Sequence, residues 1–163
     1  LSISHGWKPN TEFENFEQSM LWTGTRDLTS WLTIPFVIDY MSNIHDDGWT
    51  GLRHENTMRS KELRQLLENL FQVPPISPLN MVGHLCGVLL PKKIINKWPN
   101  WRKQHKAISE PHPFQKLLEN EHKIQIMISS LGDNLVLRVS IQKYVTKDDI
   151  NNLIRVLTQI IDT

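Results

Sequence analysis

The chain has 163 residues, of which 39% are hydrophobic and 21% charged, with a formal net charge of +1. That is ordinary globular composition, and it argues against a surface built wholly to hold nucleic acid. The lone cysteine, Cys86, excludes an intramolecular disulfide and fits a reducing cytosol, and no apolar run reaches the roughly 20 residues needed to span a bilayer.

Residues 1–21 are mixed and aromatic, without a sustained period. The start, Leu1 to Gly6, has neither an initiator methionine nor a basic-then-apolar signal pattern, and the chain reads as a piece of a longer protein. Trp22-Thr23-Gly24-Thr25-Arg26-Asp27 reads as a loop entering a helix, with Asp27 placed to accept from the unpaired N–H groups of the first turn. Leu28, Trp31, Leu32 and Pro35 follow at helical spacing, and Pro35 is expected to kink or split that helix. Asn43 to Gly48 is polar and turn-rich, and a hinge or domain boundary is expected there.

A second helix is expected from about Trp49 to Phe71, with Leu63, Leu66, Leu67 and Leu70 on one stripe. The prolines at 74, 75 and 78 end it. Met81 to Leu90 reads as a buried strand stopping at Pro91. Lys92 to Pro113 is basic and poorly periodic. Ile124 to Ile128 reads as a short strand, followed by turn residues Gly132-Asp133-Asn134. Leu135, Leu137, Val139 and Ile141 then alternate onto one face, which leaves Val136, Arg138 and Ser140 on the other. Thr146 to Asp149 resembles a capping signal before a last helix carrying Ile150, Leu153, Ile154, Leu157 and Ile161. From Met81 onward the pattern is an α+β unit, a small antiparallel sheet with flanking helices.

Two constellations carry chemistry. Backbone N–H groups at Gly24 and Thr25, beside a helix start and a threonine hydroxyl, suit a phosphate, although Gly-Thr is also a common loop dipeptide. Arg138 offers a planar fork that matches a carboxylate; the alternative is an edge strand with Arg138 in water. A basic stretch from Lys92 to Lys106 holds Lys93, Lys97, Arg102 and Lys103 with Trp98 and Trp101. It would serve a single-stranded nucleic acid, or be a solvated insertion whose tryptophans pack on the domain. No accompanying nucleic-acid motif is present, so the second reading is preferred. The histidines, His45, His54, His105, His112 and His122 among them, are scattered without the helical spacing of a metal site, and no metal is expected.

Ser4-His5-Gly6, then Trp22 to Asp27, then Leu137-Arg138-Val139-Ser140 with Tyr144 and a closing helix, resemble the C-terminal part of the aminotransferase class V family. The resemblance is to its isopenicillin N epimerase-like branch and, more distantly, to cysteine desulfurases. It implies the type I pyridoxal-phosphate fold, α/β overall, with residues 1–43 closing the large cofactor domain and 44–163 forming the small domain. It further implies a cytoplasmic homodimer in which Thr25, beside Gly24, reaches the cofactor phosphate of the neighbouring subunit. Arg138 would grip the α-carboxylate of an amino-acid substrate. The family's Schiff-base lysine lies upstream of the Ser-His-Gly element, so no catalytic residue is expected within this chain, which would be inactive alone. Neither Lys8 nor Lys61 has the expected context, and Val145 stands where relatives often have asparagine. Epimerases, desulfurases, lyases and transaminases share the retained elements, so the resemblance leaves the reaction open.

Overall fold

The computed structural model describes residues 27–99 and 111–162. The chain divides between Ile44 and His45 into two compact units. In the first, α1 (Thr29–Leu32) and α2 (Ile34–Asn43) are consecutive helices. The break between them follows from Pro35, in the first turn of α2, which has no N–H to continue the ladder. Leu28 is the N-cap of α1, while the Asp27 carboxylate accepts from the Thr29 N–H at 2.9 Å.

The second unit is a small α+β domain. Its elements are α3 (Gly48–Phe71), a 3-10 turn (Leu79–Met81), β1 (Leu85–Leu89), α4 (Lys92–Ile95), α5 (Pro113–His122), β2 (Met127–Leu131), β3 (Asn134–Ser140) and α6 (Lys147–Asp162). The strands form an antiparallel sheet in the order β1-β3-β2, with β3 central. Leu131 pairs with Asn134 across a tight turn at Gly132, whose φ of 54° belongs to the left-handed region that glycine enters freely.

The expected alternation along β3 is present only in part, because Val136 on the opposite face is buried as well and Val139 is half-buried. Leu135, Leu137 and Ile141 are buried, together with Cys86 and Val88 of β1, against Leu63 and Leu67 of α3, Phe114 and Leu118 of α5, and Leu153 and Leu157 of α6. Burial holds the Cys86 thiol up at about 11, so at neutral pH it is a protonated core side chain and not a nucleophile.

The stripe on α3 differs from the leucine pattern. Leu66 is 52% exposed, while Asn56, Ser60 and Arg64 are buried in line with Leu52, Leu63, Leu67 and Phe71. A buried arginine needs partners, and Arg64 has them. Its Nε donates to Glu68 at 2.7 Å and its Nη1 to the Ser77 hydroxyl at 3.0 Å, and Nη2 donates to the Ser77 carbonyl. The proline-rich segment after α3 is thereby tied back onto the helix. Within it, Ile76 reaches β1: a Cβ on Gly87 would lie 3.0 Å from both the Ile76 Cδ1 and the Val136 Cγ1.

The helix ends follow local chemistry. Thr146 and Asp149 form the expected capping box at α6: the Thr146 N–H donates to Asp149 Oδ2 at 2.7 Å, and the Asp149 N–H to Thr146 Oγ1 at 3.1 Å. The bonds from Thr146 hold the Asp149 carboxyl below its ordinary range. At the C-terminus of α3, Gln72 occupies the left-handed cap position with φ 52°. A side chain costs roughly 1 kcal/mol there, which glycine avoids. Gln72 is exposed, so Gln72→Gly is expected to raise stability by about 0.5–1 kcal/mol. A higher urea midpoint at unchanged slope checks this.

Candidate functional site

Arg138 lies on the central strand, with Gly87 beside it on β1 and Met127 beside it on β2. Gly87 contributes no side chain to that row, and the space over it is taken by the Ile76 and Val136 side chains. The arginine is half-buried. Its Nη1 approaches the Met127 Sδ, a weak acceptor, at 3.0 Å and the Ser129 hydroxyl at a long 3.4 Å. Among the described residues no carboxylate forms an ion pair with it, and its Nε and Nη2 donate to none of them. The side-on edge of the guanidinium thus makes no hydrogen bond to a described residue, and an edge of that shape can take a carboxylate through two parallel hydrogen bonds.

Arg138, with Val139 and Ser140 of the same strand, lines a cleft of about 620 Å³. The segment entering β2 (Lys123 to Met127) forms one wall, and Tyr144, Val145 and the first half of α6 form another. Apolar groups such as Leu85, Ile124 and Ile150 line its floor alongside the polar groups Lys123, Tyr144 and Asn152. Asp149 is the single acid among the lining residues, and its carboxylate already accepts from the backbone and hydroxyl of Thr146.

A second cleft, of about 460 Å³, lies between α3 and the start of α6. Three of its charged residues have partners within the fold. Lys143 donates to Glu55 at 2.8 Å, and Arg59 donates to the Val145 carbonyl. The hydrogen bond from Lys143 holds the Glu55 carboxyl below its usual range. Lys61, on α3, lines neither cleft.

The basic segment has its described part occupied in holding the domain together. Lys93 donates to the Ile161 carbonyl and Lys97 to that of Ile160 at 3.4 Å, which places two cations on the C-terminal end of α6 where the helix dipole favours them. Trp98 packs edge-on to His112 with ring centres 5.7 Å apart and lies 6.0 Å from Phe114. Trp101, Arg102, Lys103, His105 and Lys106 lie outside the described residues, as do His5, Lys8, Gly24 and Thr25. Among the described residues no group of three or more His, Cys, Asp or Glu side chains could hold a metal ion, and no helix is long and apolar enough to cross a membrane.

The sequence reading singled out Arg138 but not Lys123. Lys123 ends α5 in the left-handed conformation, with φ 58°. The missing signal is the helix itself: without α5, a lysine at a position that usually takes glycine is not conspicuous. Comparison of the chain with known protein families and with curated proteins gives no match.

Proposed function

We propose that residues 45–163 are the small domain of a pyridoxal-phosphate-dependent enzyme resembling the aminotransferase class V family, and that Arg138 binds the α-carboxylate of its amino-acid substrate. The observation that carries this reading is the free Nε/Nη2 edge of Arg138, half-buried in a cleft and without an acidic partner among the described residues. Arginine is seldom withdrawn from water without an anion to meet it, and a planar fork in a partly dry cleft selects carboxylates.

These residues fit the substrate half of such a site. The cofactor's phosphate would fall to Gly24 and Thr25, outside the described residues, in a homodimeric, cytoplasmic parent. When bound, pyridoxal phosphate supplies an electron sink for charge developing at the substrate's Cα. The task of this domain is to fix the carboxylate so that the reacting bond is held in one orientation. Floor groups Leu85, Ile124 and Ile150 lower the local polarity and strengthen the ion pair.

In the complete enzyme, Arg138→Ala is expected to raise KM for the amino acid about 10- to 100-fold, the usual worth of a charged hydrogen-bonded contact. Cofactor binding should stay intact. Arg138→Lys should recover only part of the loss, since it keeps the charge without the fork. Steady-state kinetics with cofactor absorbance as the control decides it: an unchanged KM in both variants rules out the carboxylate role.

A further inference from the structure

Arg138 has a neighbour whose chemistry can change. Met127 stands directly opposite it on β2, lines the same cleft, and holds its Sδ 3.0 Å from the Arg138 Nη1. The Ser129 hydroxyl is the guanidinium's other contact among the described residues, at 3.4 Å. A thioether sulfur accepts only weakly, so it leaves the positive charge to a ligand. Met127 is also 53% exposed, which opens it to oxidants dissolved in water.

Oxidation inverts that relation. The sulfur lone pair attacks one oxygen of hydrogen peroxide, and an S–O bond forms as the O–O bond breaks. The proton on the transferred oxygen passes to the departing hydroxide, which gives a sulfoxide and water; sulfur is oxidised and peroxide reduced. The product carries a strongly polar oxygen in place of a weak acceptor, and a charged donor such as a guanidinium bonds such an oxygen well. At 3.0 Å there is no room for an oxygen between Sδ and Nη1, so the guanidinium has to move to meet it. Movement toward β1 is closed, because Ile76 and Val136 occupy the space over Gly87. The side-on edge of Arg138 is therefore turned from its present setting, and a shift of roughly 1 Å is enough to weaken a directional contact severely.

We propose that Met127 is an oxidation site that regulates the cleft: as a thioether it leaves Arg138 available to a carboxylate, and as a sulfoxide it takes the guanidinium for itself. The regulation rests on the carboxylate reading of Arg138, whereas the modification and the movement of the arginine do not. Met58 and Met81 are exposed too but line neither cleft, so their oxidation is an internal control.

The test treats the 163-residue chain with hydrogen peroxide and locates the added oxygens by peptide mass mapping. L-alanine is titrated before and after, with the Arg138 Nε–H NMR signal as the readout. Oxygen at Met127, a shift of the Arg138 signal on oxidation alone, and an alanine affinity lowered about tenfold are expected, the low end of what a charged hydrogen bond contributes. Methionine sulfoxide reductases with a thiol should restore the signal and the affinity. In Met127→Leu, which keeps the volume, the other methionines still oxidise, and peroxide should then change neither readout. An unoxidised Met127 would overturn the proposal, as would an oxidised one with an unmoved Arg138 signal or an unchanged affinity. An equal loss on peroxide treatment of Met127→Leu would sink it as well. If Arg138 ignores alanine in the untreated chain, the carboxylate reading falls and the regulation with it, and the shift on oxidation alone then decides the modification.

Discussion

Replacing Arg64 with alanine is expected to cost about 3–5 kcal/mol of folding stability, because it empties a buried site and leaves the partly buried Glu68 carboxylate and Ser77 without their donor. Arg64 is only 1% exposed, and its guanidinium binds the Glu68 carboxylate and both the hydroxyl and the carbonyl of Ser77. Total stability for a domain is about 5–15 kcal/mol, so the loss should be plain in the urea midpoint. The pair Arg64→Met with Glu68→Leu should cost much less than Arg64→Ala, since it removes the charge together with its partner. A loss below about 1 kcal/mol for Arg64→Ala would mean that solvent reaches Glu68 and Ser77 easily, and the staple would then have no energetic weight.

Phe114→Ala is the second large effect, at about 3–5 kcal/mol. Phe114 is fully buried at the start of α5, in the core cluster with Leu118, Ile94 and the inward face of the sheet. Truncation removes transfer energy, leaves a cavity, and deletes the contact with Trp98 6.0 Å away. The segment carrying Trp98 and His112 should loosen with it, giving faster amide exchange over 112–118 than in the parent protein. Phe114→Leu, which keeps most of the volume, should recover the larger part. If alanine and leucine were equally mild, the core around α5 would have to collapse freely into the space, against its observed close packing.

Most of the domain was legible wherever one periodicity ruled. The two-residue alternation of β3 put Leu135, Leu137 and Ile141 on the core face and Arg138 on the other, because successive positions point to opposite sides, but it did not announce that Val136, on the face of Arg138, is buried too. The capping box at Thr146 was readable because it is local chemistry. The strand before the hairpin was placed too early: Ile124, Ile126 and Ile128 alternate and pack like a strand, but paired backbone begins only at Met127. Helix α5 was missed because the stretch from Lys92 to Pro113 is poorly periodic and nothing was assigned between it and Ile124. Pro113 in fact occupies the first turn, where its missing N–H has no partner to lose, and His112 caps the helix by accepting from the Phe114 N–H at 3.1 Å.

Arg64 was illegible for a different reason. Nothing within α3 distinguishes an arginine facing water from one facing the core, and its partner Ser77 lies 13 residues on, across a proline-rich bend. Lys123 escaped with the helix it terminates. Asn56 and Ser60 belong to the same buried stripe as Arg64, and a pattern of leucines cannot announce polar side chains. The candidate site was thus half visible: its strand-borne cation was read directly, and its loop-borne cation needed the fold.

The central position of β3 bears on how the site can behave in time. Both edges of that strand are hydrogen-bonded, to β1 and to β2, so its amides are released only when a neighbouring strand leaves. The guanidinium of Arg138 is therefore carried by backbone from the slow-opening end of the domain's range of motions, whereas Lys123 and Tyr144 hang from connecting segments. A ligand bound as proposed at Arg138 would meet one fixed jaw and one adjustable jaw. Under that reading, changes in the connecting segments can retune which molecules fit without disturbing the strand-borne anchor, which leaves specificity open to drift.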